Sequence, residues 1–195
     1  YLGAKEMYAK LRAAGKQLRL VTNAASDVVN VLATDAAKRG FDFSPSETIS
    51  SGSLLENLCE KLRRGSLNSR LPRKLKECFY IGRESGKNVL ASCCIDAVDN
   101  PSEPIVAVSS AKETPESYAH AVEILRQPNA LLLVLNSDAW APKIDGTREP
   151  VSGALCERLR RDSVCENNDG QGCETHYLGK PFPSIWNAVR ETLPE

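Results

Sequence analysis

Residues 130–138 read ALLLVLNSD. The six apolar residues from Ala130 to Leu135 are far too few to cross a membrane, and no polar residue alternates with them. Such a run suits a strand covered on both faces, and hence a parallel sheet with helices on each side. Asn136 and Asp138 follow at its carboxyl end, where open α/β sheets place ligands. Both are candidate substrate- or phosphate-binding groups. An ordinary cap between strand and loop accounts for them equally well.

Working outward, CFYIG (78–82), NVLASCC (88–94) and IVAVSS (105–110) read as further strands. Thr114-Pro115 predicts a helix start, a hydroxyl cap followed by proline in the first turn. That helix carries Tyr118, Ala121, Val122 and Leu125. NSDAWAPKIDGTREP (136–150) reads as a long polar loop, and a helix is expected from Ser152 to about Arg161. DSVCENNDGQGCE (162–174) reads as loop and THYLG (175–179) as a short strand. Pro183 opens a last helix, with Ile185, Trp186 and Val189 expected in the core.

The first third repeats the rhythm. A helix over 3–14 is closed by Gly15 and carries Ala4, Met7, Leu11 and Ala14 at helical spacing. LRLV (18–21) is a short strand ending at Thr22-Asn23. Ser26 or Asp27 is the expected cap of a second helix with Val28, Val31, Leu32 and Ala36 on its apolar side, ended by Arg39-Gly40. FDFSPSETISSG (41–52) reads as a connector. Ser51 or Ser53 is the expected cap of a third helix, with Leu54, Leu55, Leu58 and Leu62 on one side. GSLNSRLPRKLKE (65–77) is basic and irregular, a link. Residues 1–64 are expected to share a sheet with the strand before Gly179, and the middle, about 70–165, to be an inserted domain.

Three strand ends carry candidate chemistry. Thr22 offers a hydroxyl, Asn23 an amide, and residues 24–26, beginning with Ala24, offer backbone N–H groups at an expected helix N-terminus, a setting that suits phosphate. Lys180, in YLGKPFPSIW (177–186), is held by Pro181 and Pro183. A lysine so placed offsets charge on a phosphoryl group in transfer; a solvated lysine in a proline-rich turn is the competing reading. Asn136 and Asp138 make the third. Asp145-Gly146-Thr147 resembles half of an acidic phosphotransfer motif, but Lys143 stands where the nucleophilic aspartate belongs. His120 and His176 lack a nucleophile and carboxylate at recognisable spacing. No G-x-x-x-x-G-K cradle and no dinucleotide fingerprint occur.

Bulk composition narrows the partners. Lysine plus arginine and aspartate plus glutamate both number 25, so the formal net charge is zero. That gives no electrostatic reason to expect nucleic acid or an anionic membrane as partner. No apolar run approaches the roughly 18 residues of a membrane span, and YLGAKEMYAK at the start does not read as a signal peptide. The seven cysteines are an odd number, and four sit in apolar or helical contexts. Reduced thiols in a cytoplasmic-type compartment fit better than a disulfide scaffold. Cys165, Cys173 and His176 leave a zinc site short of a fourth ligand, so no metal is assigned.

LRAAGKQLRLVTNAASD, GFDFSPSETISSG, LLLVLNSDAWAP and YLGKPFPSIW, in that order, resemble the haloacid dehalogenase-like hydrolases, in particular the NagD-type phosphatases with a large α/β cap. The resemblance implies an α/β fold: an incomplete Rossmann-like parallel-sheet core with an inserted cap domain. The core would run over 1–68, the cap over 69–165, and the core would resume over 166–195. It implies a magnesium-dependent phosphatase acting on a small phosphorylated molecule through an aspartyl-phosphate. Thr22 would hydrogen-bond the transferring phosphoryl group and Lys180 would offset its charge, with Asn23 the amide that follows the threonine. Asn136 and Asp138 would lie in a cap segment that is structural or substrate-facing, not metal-binding.

The family's D-x-D strand should precede the first helix and its acidic fourth motif should follow the last. Neither is in the 195 residues, which begin at Tyr1. The chain is therefore expected to be truncated at both ends, to lack the principal Mg2+ ligands, and to be inactive alone. A non-catalytic phosphate-binding or regulatory protein and a purely structural α/β protein are the alternatives. A homo-oligomer is compatible with all three.

Overall fold

The structure is a computed structural model that describes residues 2–65, 74–164 and 172–193. Its main sheet is all-parallel and has the order β4-β3-β5-β6-β9. These strands are β3 (Glu77–Ile81), β4 (Asp96–Ala97), β5 (Ile105–Val108), β6 (Leu131–Val134) and β9 (Glu174–Tyr177). β6 pairs with β5 on one side and β9 on the other. All four of its residues are buried, which is why its sequence shows no alternation.

Successive side chains still go to opposite faces. Cys78, Ile105, Ala107, Leu131 and Leu133 join one cluster with Leu55 and Leu62 of α3 (Ser53–Arg63), Leu90 of α4 (Gly86–Ser92) and Ile185 of α7 (Pro183–Glu191). Phe79, Val106, Val108, Leu132 and Val134 join the other with α5 (Pro115–Leu125) and α6 (Ser152–Asp162). Each fully buried leucine or valine stabilises the fold by about 1.5–3 kcal/mol relative to exposure. A second, two-stranded parallel sheet pairs β1 (Leu20–Thr22) with β2 (Thr48–Ser50). α1 (Ala4–Ala13) and α2 (Val29–Lys38) accompany it, and β7 (Trp140–Pro142) with β8 (Arg148–Pro150) forms an antiparallel hairpin.

Several expectations are corrected. NVLASCC is not a strand: residues 86–92 are α4. β3 and β4 are parallel, with Glu77 opposite Asp96, and a parallel pair needs a crossover between its strands. α4 is that crossover, with Val89 and Leu90 buried. The strand before Gly179 does not join the sheet of the first segment; β9 pairs with β6, Val134 opposite Tyr177. The connector 41–52 hides a 3-10 turn (Pro45–Glu47) and β2, and the loop 136–150 hides the β7–β8 hairpin.

Helix ends also shift. α2 begins at Val29 with Val28 before it, because Ser26 turns inward to Ser109 instead of capping. Neither Ser51 nor Ser53 is the cap of α3; Gly52 holds that position, and Ser53 is its first residue. Trp186 is 44% exposed, while Ile185 and Ala188 bury the inner side of α7. Met7 and Val31 also face outward. The Thr114-Pro115 helix start is found, with Thr114 Oγ1 accepting from the Ser117 N–H at 3.2 Å. Cys165 and most of the basic link, residues 66–73, lie outside the described residues.

Candidate functional site

Because β5, β6 and β9 are parallel and in register, their carboxyl ends share one edge. Ser109 follows β5, Asn136 to Asp138 follow β6, and Gly179-Lys180 follow β9. The β1–β2 sheet brings Thr22 and Asn23 to the same place. Asn23 makes the junction. Its Oδ1 accepts from the Lys180 N–H at 2.7 Å, and its Nδ2 donates to the Lys180 carbonyl at 3.0 Å and to Asp138 Oδ1 at 2.8 Å. Asn23 is buried, and both hydrogens of its amide are used by protein groups.

The surroundings hold this amide in place. Ser51, fully buried, donates its N–H to the Thr22 carbonyl at 3.0 Å and its hydroxyl to the Asn23 carbonyl at 2.9 Å. Ser137 Oγ donates to the Lys180 carbonyl. Gly179 has φ +91°, and a Cβ there would lie 2.5 Å from Asn23 Oδ1 and 2.8 Å from Ser51 Cβ. Only glycine fits that approach. The Lys180-Pro181 peptide is cis. Lys180 Nζ reaches the Val21 carbonyl at 3.5 Å, beside Thr22. Thr22 Oγ1 accepts from the Ala24 N–H at 3.1 Å. That N–H is therefore occupied, and the next helix begins only at Val29.

Next to this junction is a cleft of about 400 Å³. Ala24, Asn136 and Asp138 are on its wall, with Asp27, Arg83 and Lys112; Thr22 and Lys180 are not. The sequence-predicted residues thus fall into two groups. Ala24, Asn136 and Asp138 line the cleft, and Thr22 and Lys180 lie off its wall, next to Asn23. Asn136 Oδ1 accepts from the Asp138 N–H at 2.9 Å, a local turn that aims the carboxylate at Asn23.

Sequence reasoning missed the hydroxyls. Ser26, Ser109 and Tyr80 form a chain, Ser26 Oγ to Ser109 Oγ at 3.2 Å and Ser109 Oγ to the Tyr80 hydroxyl at 2.5 Å. Burial pushes the Tyr80 phenol above its ordinary value. A Cβ on Gly86 would lie 1.8 Å from that hydroxyl. The run SSGS after Ile49 was the one local hint of the serine contacts around Asn23.

Other candidates have plain roles. Asp145 Oδ1 accepts from the Thr147 N–H at 2.9 Å and closes the hairpin turn. His120 sets its ring edge-on against Phe79 and bonds the Asp99 carbonyl at 2.7 Å through Nε2. Among the described residues no three or more His, Cys, Asp or Glu side chains gather as a metal site. The donors near Lys180 are an amide already spent and one carboxylate, a set that does not fit Mg2+.

Residues 1–95 match the haloacid dehalogenase-like hydrolase family. The chain is 27% identical to chronophin from Bos taurus over 198 residues, covering 97% of this chain and 63% of that protein. It thus spans less than two thirds of the curated relatives it matches. Among solved structures, a thermostable NPPase double mutant from Geobacillus stearothermophilus superposes with a TM-score of 0.76 at 20% identity, over 99% of this chain and 70% of that one. NagD from E. coli K-12 superposes at 0.69 with 22% identity, over 98% and 67%. The chain as a whole therefore shares the fold of these phosphatase and NagD structures, and its first 95 residues match the haloacid dehalogenase-like hydrolase family.

Proposed function

We propose that this chain carries the phosphate-holding part of a phosphatase that acts on a small phosphomonoester. The observation that supports it most is the buried Asn23 clamping both main-chain groups of Lys180 next to Thr22. That clamp sets a cation beside a hydroxyl without spending either side chain on a structural ion pair. Thr22 Oγ1 would donate to a phosphoryl oxygen while accepting from Ala24, and Lys180 Nζ would neutralise its charge. Asn23 is read as a positioning residue, not a phosphate ligand. Asn136 and Asp138, on the cleft wall, would meet the rest of the substrate.

An aspartyl-phosphate route needs a carboxylate nucleophile, and no D-x-D occurs in the 195 residues. The magnesium that phosphatases of this superfamily commonly use also finds no donor set among the described residues. We therefore propose that turnover, with its aspartates and its Mg2+, belongs to a longer protein, and that these residues alone bind phosphate with little or no hydrolysis. A core and cap division is kept as part of this reading, with the cap's sheet extended to include β9 and the return to the core placed after Tyr177. The free cysteines among the described residues support a reducing, cytoplasmic-type compartment.

Calorimetric titration with inorganic phosphate tests the site. Lys180→Ala and Thr22→Ala should each weaken binding roughly tenfold or more, the loss of a charge-assisted hydrogen bond of about 1.5–3 kcal/mol. Phosphate affinity unchanged in both variants would overturn the assignment. A p-nitrophenyl phosphate assay with Mg2+ should give no turnover above buffer; turnover that disappears in Lys180→Ala would overturn the inactive reading while keeping the site. If the longer protein also binds phosphate without hydrolysis, the non-catalytic regulatory alternative replaces the enzyme.

A further inference from the structure

A second cavity, of about 270 Å³, lies between α3 and α4, away from the candidate site. Three of the chain's cysteines line it: Cys59 on α3, and Cys93 and Cys94 just past the end of α4. Cys59 is buried, Cys93 half-buried and Cys94 exposed, and all three are free thiols. Arg63 and Lys74 stand on the same wall. Arg63 is anchored by Nε to the Cys59 carbonyl at 3.3 Å, and Ser92 Oγ lies 3.9 Å from Cys93 Sγ. Nothing in the phosphate reading uses these groups.

We propose that Cys59 and Cys93 form a reversible disulfide that staples α3 to α4. The pair has a built-in asymmetry. Cys93 packs against the buried cluster that contains Cys59, and Cys59, Ser92 and Arg63 hold its thiol below the ordinary value. Cys59 itself is pushed up by its neighbour Cys93 and by burial. Cys93 is therefore the attacking thiolate and Cys59 the resolving thiol.

The oxidant is a small-molecule disulfide such as oxidised glutathione. Cys93 thiolate attacks one of its sulfurs and expels one small thiolate, leaving a mixed disulfide on Cys93. Cys59 loses its proton and attacks Cys93 Sγ, expelling the second small thiolate. Two protein thiols are oxidised, one small disulfide is reduced to two thiols, and the two protons given up by Cys93 and Cys59 end on those thiols. The bond would tie the first segment of the chain to the middle one. A dithiol reverses it by the same steps.

Peptide mapping of the 195-residue chain after treatment with oxidised glutathione tests this. Trypsin leaves Cys59 in residues 40–61 and Cys93 with Cys94 in residues 88–112. The expected product joins those peptides, lighter by two hydrogens, with fragmentation placing the link on Cys93, and disappears on reduction. It should persist in Cys94→Ser and be lost in Cys93→Ser, which leaves glutathione on neither Cys59 nor a cross-link. A Cys93–Cys94 link, a Cys59–Cys94 link, or glutathione retained on Cys94 with no joined peptide would each overturn the proposal. The decisive reading is on the unsubstituted chain, so failure of a variant to fold does not obscure it.

Discussion

The Asn23 side chain makes three hydrogen bonds to two distant segments, 115 and 157 residues away along the chain. Asn23→Ala would leave the Lys180 N–H without its acceptor, at about 1–3 kcal/mol for that group, while the Lys180 carbonyl keeps Ser137 Oγ and the exposed Asp138 carboxylate turns to water. A lowered urea midpoint together with weaker phosphate binding is the expected outcome. Weaker binding with unchanged stability would mean that Asn23 touches phosphate directly. The position of Asn23 at a strand end was legible in LVTNAASD, because a short apolar run that stops at polar residues is a local pattern. Its role was not legible, since an amide that could serve a ligand looks the same in sequence as one saturated by the chain itself.

At the scale of elements, α1 shows how little burial an element needs. It buries no residue fully, and Arg12 holds it instead. Arg12 Nη1 and Nη2 donate to Glu47 Oε1 at 2.5 Å and Oε2 at 2.8 Å, and the guanidinium stacks over Tyr8 and Phe43. Arg12 holds the Glu47 carboxyl down to about 2 from an ordinary 4.5. The folded protein thus keeps Glu47 charged where the unfolded chain would protonate it. The bridge contributes fully above pH 4.5 and is lost as pH falls toward about 2. Denaturation midpoints of the native sequence should fall more steeply across that window than those of Glu47→Gln; parallel slopes would refute the linkage. Both side chains keep about a quarter of their surface in water, so the effect is modest.

Other elements divide by whether their cause is local. The start of α5 was legible because Thr114, Pro115 and Ser117 make the cap among themselves. α4 was misread as a strand because Val89-Leu90 flanked by small residues has no decisive period, and the requirement for a helix came from the parallel pairing of β3 with β4. β2 was missed because three residues between serines are too short to show one.

For the molecule as a whole, the first segment and the main sheet contribute to one buried cluster. Residues of α3, α7 and β2 lie in one buried cluster with Leu131 and Leu133 of the main sheet. Leu132 points to the opposite cluster and is fully buried. Leu132→Ala should cost about 2–5 kcal/mol, from lost transfer energy and the cavity left behind. A single urea transition shifted as a unit is the expected signature; a shift in only one of two resolved transitions would mean that the segments unfold independently.

By itself the amino-acid sequence determined the α/β class, the buried centre at ALLLVL, most helices and the polar strand ends. Each of those rests on neighbours a few residues apart: an apolar run, a cap, a proline, a glycine. Only the tertiary structure decided that the strand before Lys180 belongs with β6, and that Lys180 meets Val21 and Asn23, at the end of a strand from the other sheet. Those outcomes depend on which strand edges pair and on which buried polar groups find partners. Pairing energy between segments more than a hundred residues apart leaves no periodic trace in either one.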